Sequence, residues 1–118
     1  MKYLIVCGFM LLLLQTAHGE DDDGIYIVKG AGSTSCERYV SDVESHEQMF
    51  LLGFSWIQGY LTAYNNFVFD GQDLASGVDS ATIRKWLNNH CRNRPGDDLA
   101  GAANALVNTL LNPDQTGG

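Results

Sequence analysis

Two cysteines constrain what this chain can fold into more than any other feature. Of the three present, Cys7 lies inside the apolar run Leu4-Ile5-Val6-Cys7-Gly8-Phe9-Met10-Leu11-Leu12-Leu13-Leu14, which follows the basic start Met1-Lys2. A run of roughly a dozen apolar residues has the length of a signal-peptide core and falls short of the about 20 that a membrane span needs. Gln15 breaks the run, and Ala17-His18-Gly19 places small residues at the −3 and −1 positions of a cleavage site after Gly19. Residues 1–19 therefore read as a removable signal peptide, with the mature chain starting near Glu20 and no stable membrane anchor. The polar stretch that follows argues against an uncleaved anchor, and too few residues precede Cys7 for lipidation. The expected location is the periplasm or the exterior. Cys36 and Cys91 are the cysteines that remain, and in an oxidising compartment they are expected to pair. Their bridge closes a loop of about 55 residues, worth about 4 kcal/mol in the chain-entropy account.

About 99 residues follow Gly19, enough for one domain with one modest core. All 14 Asp and Glu lie in that part, together with six of the seven Lys and Arg, so its formal charge is −8. Nucleic acid is excluded as a partner, because holding phosphates calls for clustered bases. The few bases present, Arg84, Lys85, Arg92 and Arg94, gather around one segment with acids nearby; a small anion site there competes with a solvated helix face, and the second reading is preferred. No metal or other cofactor is expected. Cys36, Cys91, His46 and His90 lack the paired spacing of a zinc site, and His90 reads as a helix-end histidine.

The periodicity predicts an all-α domain, a small bundle of about four helices over residues 33–112 with one inter-helix disulfide. Residues 20–32 form a flexible or extended leader. Within it Ile25-Tyr26-Ile27-Val28-Lys29 is β-branched and aromatic, suited to an isolated strand or an extended segment. Ser33-Thr34-Ser35 offers N-cap hydroxyls for a short helix from Cys36 to about Val43. Ser45-His46-Glu47-Gln48 has the form of a capping box, with Ser45 as the cap of a long helix that reaches about Phe67. Along it Met49, Leu52, Trp56, Tyr60, Ala63 and Phe67 make one apolar stripe, and Phe50, Phe54, Ile57, Leu61 and Tyr64 make a second. A helix apolar over so much of its circumference is expected to be central. Gly53 and Gly59 each cost about 1 kcal/mol against alanine in a helix, which points to close contact with a neighbour or a bound partner. A loop with Asp70-Gly71 and Ser76-Gly77 follows. Asp79 or Ser80 caps a third helix with Ile83, Trp86 and Leu87 on one face. Pro95-Gly96 ends it, and Asp97 or Asp98 starts a last helix through Leu99, Ala102, Ala103, Leu106, Val107, Leu110 and Leu111. Residues 113–118 read as a flexible tail. In this arrangement the bridge ties the first helix to the end of the third, with the second helix between them.

No catalytic motif is present, and the expected function is non-enzymatic. Ser55 lies mid-helix in Gly53-Phe54-Ser55-Trp56-Ile57 without the second glycine of a nucleophile elbow. Asp70 and Asp73 sit in a loop with no flanking apolar pocket, which suits solvated carboxylates rather than an acid/base pair. The residues best suited to a partner are Trp56, Tyr60, Tyr64, Asn65 and Phe67, since large rings with a polar edge bury much area at low entropic cost. Trp56 reads as core first and binding surface second, while Tyr64-Asn65-Asn66 divides evenly between the two.

The run Cys36-Glu37-x-Tyr39, then Gly53-Phe54, Gly59-Tyr60-Leu61-x-x-Tyr64-Asn65, Gly77-Val78-Asp79, Cys91 and Pro95 resembles the HdeA and HdeB family of small periplasmic acid-stress chaperones. It is also similar to the Tai-like immunity proteins that inhibit type VI secretion amidase effectors. The resemblance spans about Cys36 to Leu111. It implies a mostly helical fold with a Cys36–Cys91 bridge, and a second helix that is buried in a homodimer or uncovered in acid to hold a protein client. The chain departs from the acid chaperones in lacking a lysine-rich tail, in its more aromatic long helix and in its more negative charge. An acid chaperone is the leading expectation, with an immunity protein, or an envelope structural protein without a small ligand, as alternatives. The composition allows an acid response: protonating the carboxylates swings the formal charge from −8 to roughly +8 below about pH 3.

Overall fold

In the computed structural model of the protein, residues 26–115 are described. The expected signal peptide (1–19), the first part of the expected leader and the end of the expected tail lie outside them. Among the described residues there are four helices, α1 (Cys36–Ser45), α2 (Glu47–Phe67), α3 (Ser80–Asn93) and α4 (Leu99–Leu111), with short 3-10 turns at Gly30–Ser33 and Pro113–Gln115. The all-α architecture follows the periodicity, and three of its start signals act as expected. The Ser35 hydroxyl accepts from the Arg38 amide at 3.2 Å, Asp79 accepts from the Thr82 amide at 2.8 Å and Asp98 accepts from the Gly101 amide at 2.8 Å. Each satisfies an amide that a helix start otherwise leaves without a partner.

The capping box does not form. α1 runs on through Ser45, whose hydroxyl donates to the Ser41 carbonyl at 2.7 Å, and α2 starts after His46, which makes no side-chain cap bond. Asp42, buried by the packed fold, favours the longer α1 by accepting from Arg38 Nε at 3.0 Å while facing His46 Nδ1 at 3.6 Å. The helical body also begins before residue 33. Gly30–Ser33 packs on α2 and α4, and Gly32 is buried. Tyr26–Lys29 forms no strand. Among the described residues the one β-type pairing is an isolated bridge from Ser35 to Asp98.

That bridge zips two helix starts together. The Cys36 amide donates to the Asp97 carbonyl at 2.8 Å, the Leu99 amide to the Thr34 carbonyl at 3.0 Å and the Glu37 amide to the Pro95 carbonyl at 3.2 Å. Cys36 and Cys91 form the expected disulfide and both are fully buried. The expected order of helices is corrected. The bridge holds α1 directly against α3, and α2 packs on α1 and α4 rather than between the bridged pair. The helix at the centre is α4, with six of 13 residues buried (Leu99, Ala100, Ala102, Ala103, Leu106 and Val107), against five of 21 in α2. Its alanines let the other helices approach closely, a role that apolar bulk along α2 does not reveal. Gly53 meets the expectation of close contact: a β-carbon there would stand 3.0 Å from Leu99 Cδ1 and 3.1 Å from Tyr39 Cδ2. Gly59 does not, since nothing lies within 4 Å of that direction.

Candidate functional site

The two stripes of α2 have different fates. Phe50, Phe54, Ile57 and Leu61 enter the core with Gly53, whereas Met49, Leu51, Leu52, Phe67 and Val68 stay exposed. No charged residue occurs between Glu47 and Asp70, so this exposed flank is uncharged in a strongly acidic chain. Scattered exposed apolar side chains are ordinary, but Leu51 and Leu52 sit together with Gln48 and Ser55 around a shallow uncharged hollow, a surface suited to another protein, while Phe67 and Val68 project at the far end of α2.

Trp56, Tyr60 and Tyr64 form a half-buried band that ties three elements together. The Trp56 indole donates from Nε1 to the Lys29 carbonyl at 2.8 Å and lies across Gly30 and Gly32. Its ring centroid is 5.6 Å from that of Tyr60, whose hydroxyl donates to Asn104 Oδ1 on α4. Burial raises the Tyr60 hydroxyl above its ordinary pKa, and the neighbouring Tyr26 and Tyr64 raise it further. Asn65 is engaged inside the chain: its Oδ1 accepts from the Leu74 amide at 2.9 Å, its Nδ2 donates to Asp73 Oδ1 at 3.4 Å, and its carbonyl accepts from the Gly71 amide at 2.7 Å. The turn it braces includes Asp70 and Gly71, both at positive φ. Phe67, 81 % exposed, is the member of the five that projects into solvent. The structure thus joins Trp56, Tyr60 and Tyr64 in one band and separates Asn65 and Phe67 from it. Leu51 belonged to neither apolar stripe. Its exposure became readable only once the core face of α2 was fixed.

The other flank of α2 carries an unusual cation. The Arg84 guanidinium lies 5.0 Å and 5.3 Å from the ring centroids of Phe50 and Phe54, whose planes are nearly parallel at 11°. The Tyr39 hydroxyl beneath is buried and has no hydrogen-bond partner among the described residues. Burial drives its pKa far above the ordinary value, and Arg84 opposes the shift. His90 stacks on Trp86 with centroids 5.0 Å apart and meets Asp97 Oδ2 through Nε2 at 2.8 Å, so it fastens the end of α3 to the start of α4.

Carboxylates recur at the joints: Asp42 between α1 and α2, Asp73 in the turn after α2, Asp79 at the start of α3, and Asp97 and Asp98 between α3 and α4. Helix caps and joints are where one carboxylate satisfies several donors, and loss of its charge weakens all of them. The fold and this surface define a small disulfide-closed helical domain with an uncharged apolar flank. No family model, curated protein or solved structure matches the chain.

Proposed function

We propose that this protein is a non-enzymatic protein-binding domain of the periplasm, an acid-stress chaperone of the HdeA kind. The observation that carries the reading is the placement of aspartates at every junction between helices, beside a disulfide that acid does not break. At neutral pH these carboxylate bonds hold the joints, and in acid, as the formal charge of the chain swings positive, α2 and α4 loosen while α1 and α3 stay bridged. The exposed Met49, Leu51 and Leu52 then extend into a wider apolar surface as Phe50 and Phe54 are released, and an unfolding client docks there. Asp79 gives the direction. Its bond to the Thr82 amide lowers its pKa in the folded state, so its contribution is present above the unfolded value and is lost as pH falls through the folded one. The test is dye binding and suppression of client aggregation by the mature protein at pH 2.5 and pH 7. Binding and protection confined to the lower pH support the reading. Absence of both at pH 2.5 rejects it.

A second reading, an immunity protein that blocks a type VI secretion amidase, is favoured by one feature. The Asn65 bonds hold a preformed turn next to Phe67 and Val68, 81 % and 61 % exposed, which suits a rigid plug for a preformed cleft. Under this reading a tight partner is recovered at neutral pH and Phe67→Ala releases it.

A further inference from the structure

A groove of about 360 Å³ lies on the side of the molecule formed by α3, α4 and the turn before α3. We propose that it binds the acyl chain of a single-chain anionic amphiphile, with the head group at Lys85. The walls are Leu74, Val78, Ile83, Trp86, Leu106 and Leu110, and no ionisable side chain lines it. In a chain of formal charge −7 that absence selects an uncharged apolar occupant. The volume lies in the range of small-ligand sites, and since a cavity of about 150 Å³ takes a benzene ring, it has room for a chain of about ten carbons.

The walls decide between a chain and a ring. Five of the six are aliphatic, and the one aromatic, Trp86, has a face taken by His90 at 5.0 Å. A ring ligand finds little to stack on, whereas a flexible chain fits between branched side chains. One wall is also built in advance: the Leu74 amide is held by Asn65 Oδ1 at 2.9 Å, the Ala75 amide by Asp73 Oδ1 at 3.0 Å and the Val78 amide by the Ala75 carbonyl at 2.8 Å.

Charge fixes the head group. Ser76, Thr82 and Thr109 bring hydroxyls to the lining. Lys85 lies one turn along α3 from Thr82, is exposed, and makes no ion pair among the described residues. Asp79, the acid at the start of the same helix, is bound to the Thr82 amide at 2.8 Å. Lys85 is not itself a wall, but with the chain among the apolar side chains a carboxylate or phosphate that leaves the groove past Thr82 is one helical turn from an ammonium that is in no ion pair among the described residues.

The experiment titrates the mature protein with monomeric dodecanoate, dodecanol and a lysophosphatidylglycerol, followed by amide chemical shifts. Saturable one-to-one binding of dodecanoate with shifts at Leu74, Val78, Thr82, Trp86 and Leu110 is expected. Thr109→Trp fills the groove and removes binding, and Ser76→Trp, at an exposed turn position, does the same should the first variant unfold. Lys85→Gln weakens dodecanoate about fivefold and leaves dodecanol unchanged. Stronger binding of the lysolipid identifies a lipid tail as the source, and stronger binding of dodecanoate identifies a free fatty acid. No saturable binding, or binding that both tryptophan variants leave intact, overturns the proposal. An equal effect of Lys85→Gln on the acid and the alcohol overturns the head-group assignment.

Discussion

The contact between Gly32 and Trp56 can be tested by adding one methyl group. A β-carbon at Gly32 would stand 2.2 Å from Trp56 Cζ2 and 2.6 Å from Cε2 and Cη2. Gly32 is not among the residues at positive φ, so the backbone accepts alanine and the whole cost falls on the indole. The ring must swing away, breaking its bond to the Lys29 carbonyl and its contact with Tyr60. The bond is worth about 1 kcal/mol and the ring pair about 1 kcal/mol, while alanine returns about 0.5 kcal/mol through the unfolded chain. Gly32→Ala is therefore expected to destabilise by about 1.5 kcal/mol, or roughly 6–12 °C in Tm for a domain of this size. The assay is a double-mutant cycle by urea denaturation with Trp56→Leu. If the indole is the obstacle, Gly32→Ala costs almost nothing once Trp56 is leucine, and the coupling is at least about 1 kcal/mol. A Gly32→Ala penalty that persists unchanged beside Trp56→Leu would refute the contact as its cause.

Gly59→Ala should behave oppositely: nothing lies within 4 Å of its β-carbon direction, so helix propensity alone acts and urea denaturation should show a gain of about 1 kcal/mol. Removing the Cys36–Cys91 bridge with Cys36→Ser and Cys91→Ser together should cost about 4 kcal/mol, read by chemical denaturation of both forms. Asp98→Ala removes the α4 cap at a joint that α1 shares and should cost about 1 kcal/mol, with Asp98→Asn retaining most of the stability. Asp79→Asn keeps the cap and removes the charge, so the fall in Tm between about pH 5 and pH 2 should become shallower; an unchanged slope would dissociate Asp79 from the acid limb.

Most of the fold was legible because the signals were local. Apolar spacing placed four helices, Asp79 and Asp98 marked two starts, and two cysteines left one pairing. The start of α2 was misread because Ser45-x-x-Gln48 satisfies the same local pattern whether or not another helix already occupies Ser45, and the buried Asp42 that extends α1 is a tertiary effect. The centre was misread for a related reason. Bulk along α2 signals apolar area, but the interior position goes to α4, whose Ala100, Ala102 and Ala103 admit neighbours on several sides. Asn65 stayed evenly divided between core and binding surface because the partners it holds, Asp73 and Leu74, become neighbours only after the chain has turned.

The same residues link the candidate surfaces. Asn65 closes the end of α2, and through Leu74 it also positions a wall of the groove on the far side of the turn. Asp73 accepts from Asn65 and from Ala75, so its carboxylate serves both. Removing that side chain, as in Asp73→Ala, frees the turn at two points at once, and the turn is the chain's route from α2 to α3. α3 itself is held to α1 by the disulfide and cannot follow. Asn65→Ala should thus disturb two regions that share no wall: the shifts of Leu74 and Val78 in the groove and those of Phe67 and Val68 beyond the end of α2. Shifts at Leu87 and Cys91, on the bridged side, should stay nearly fixed. If Asn65→Ala moves one region without the other, the turn does not couple them.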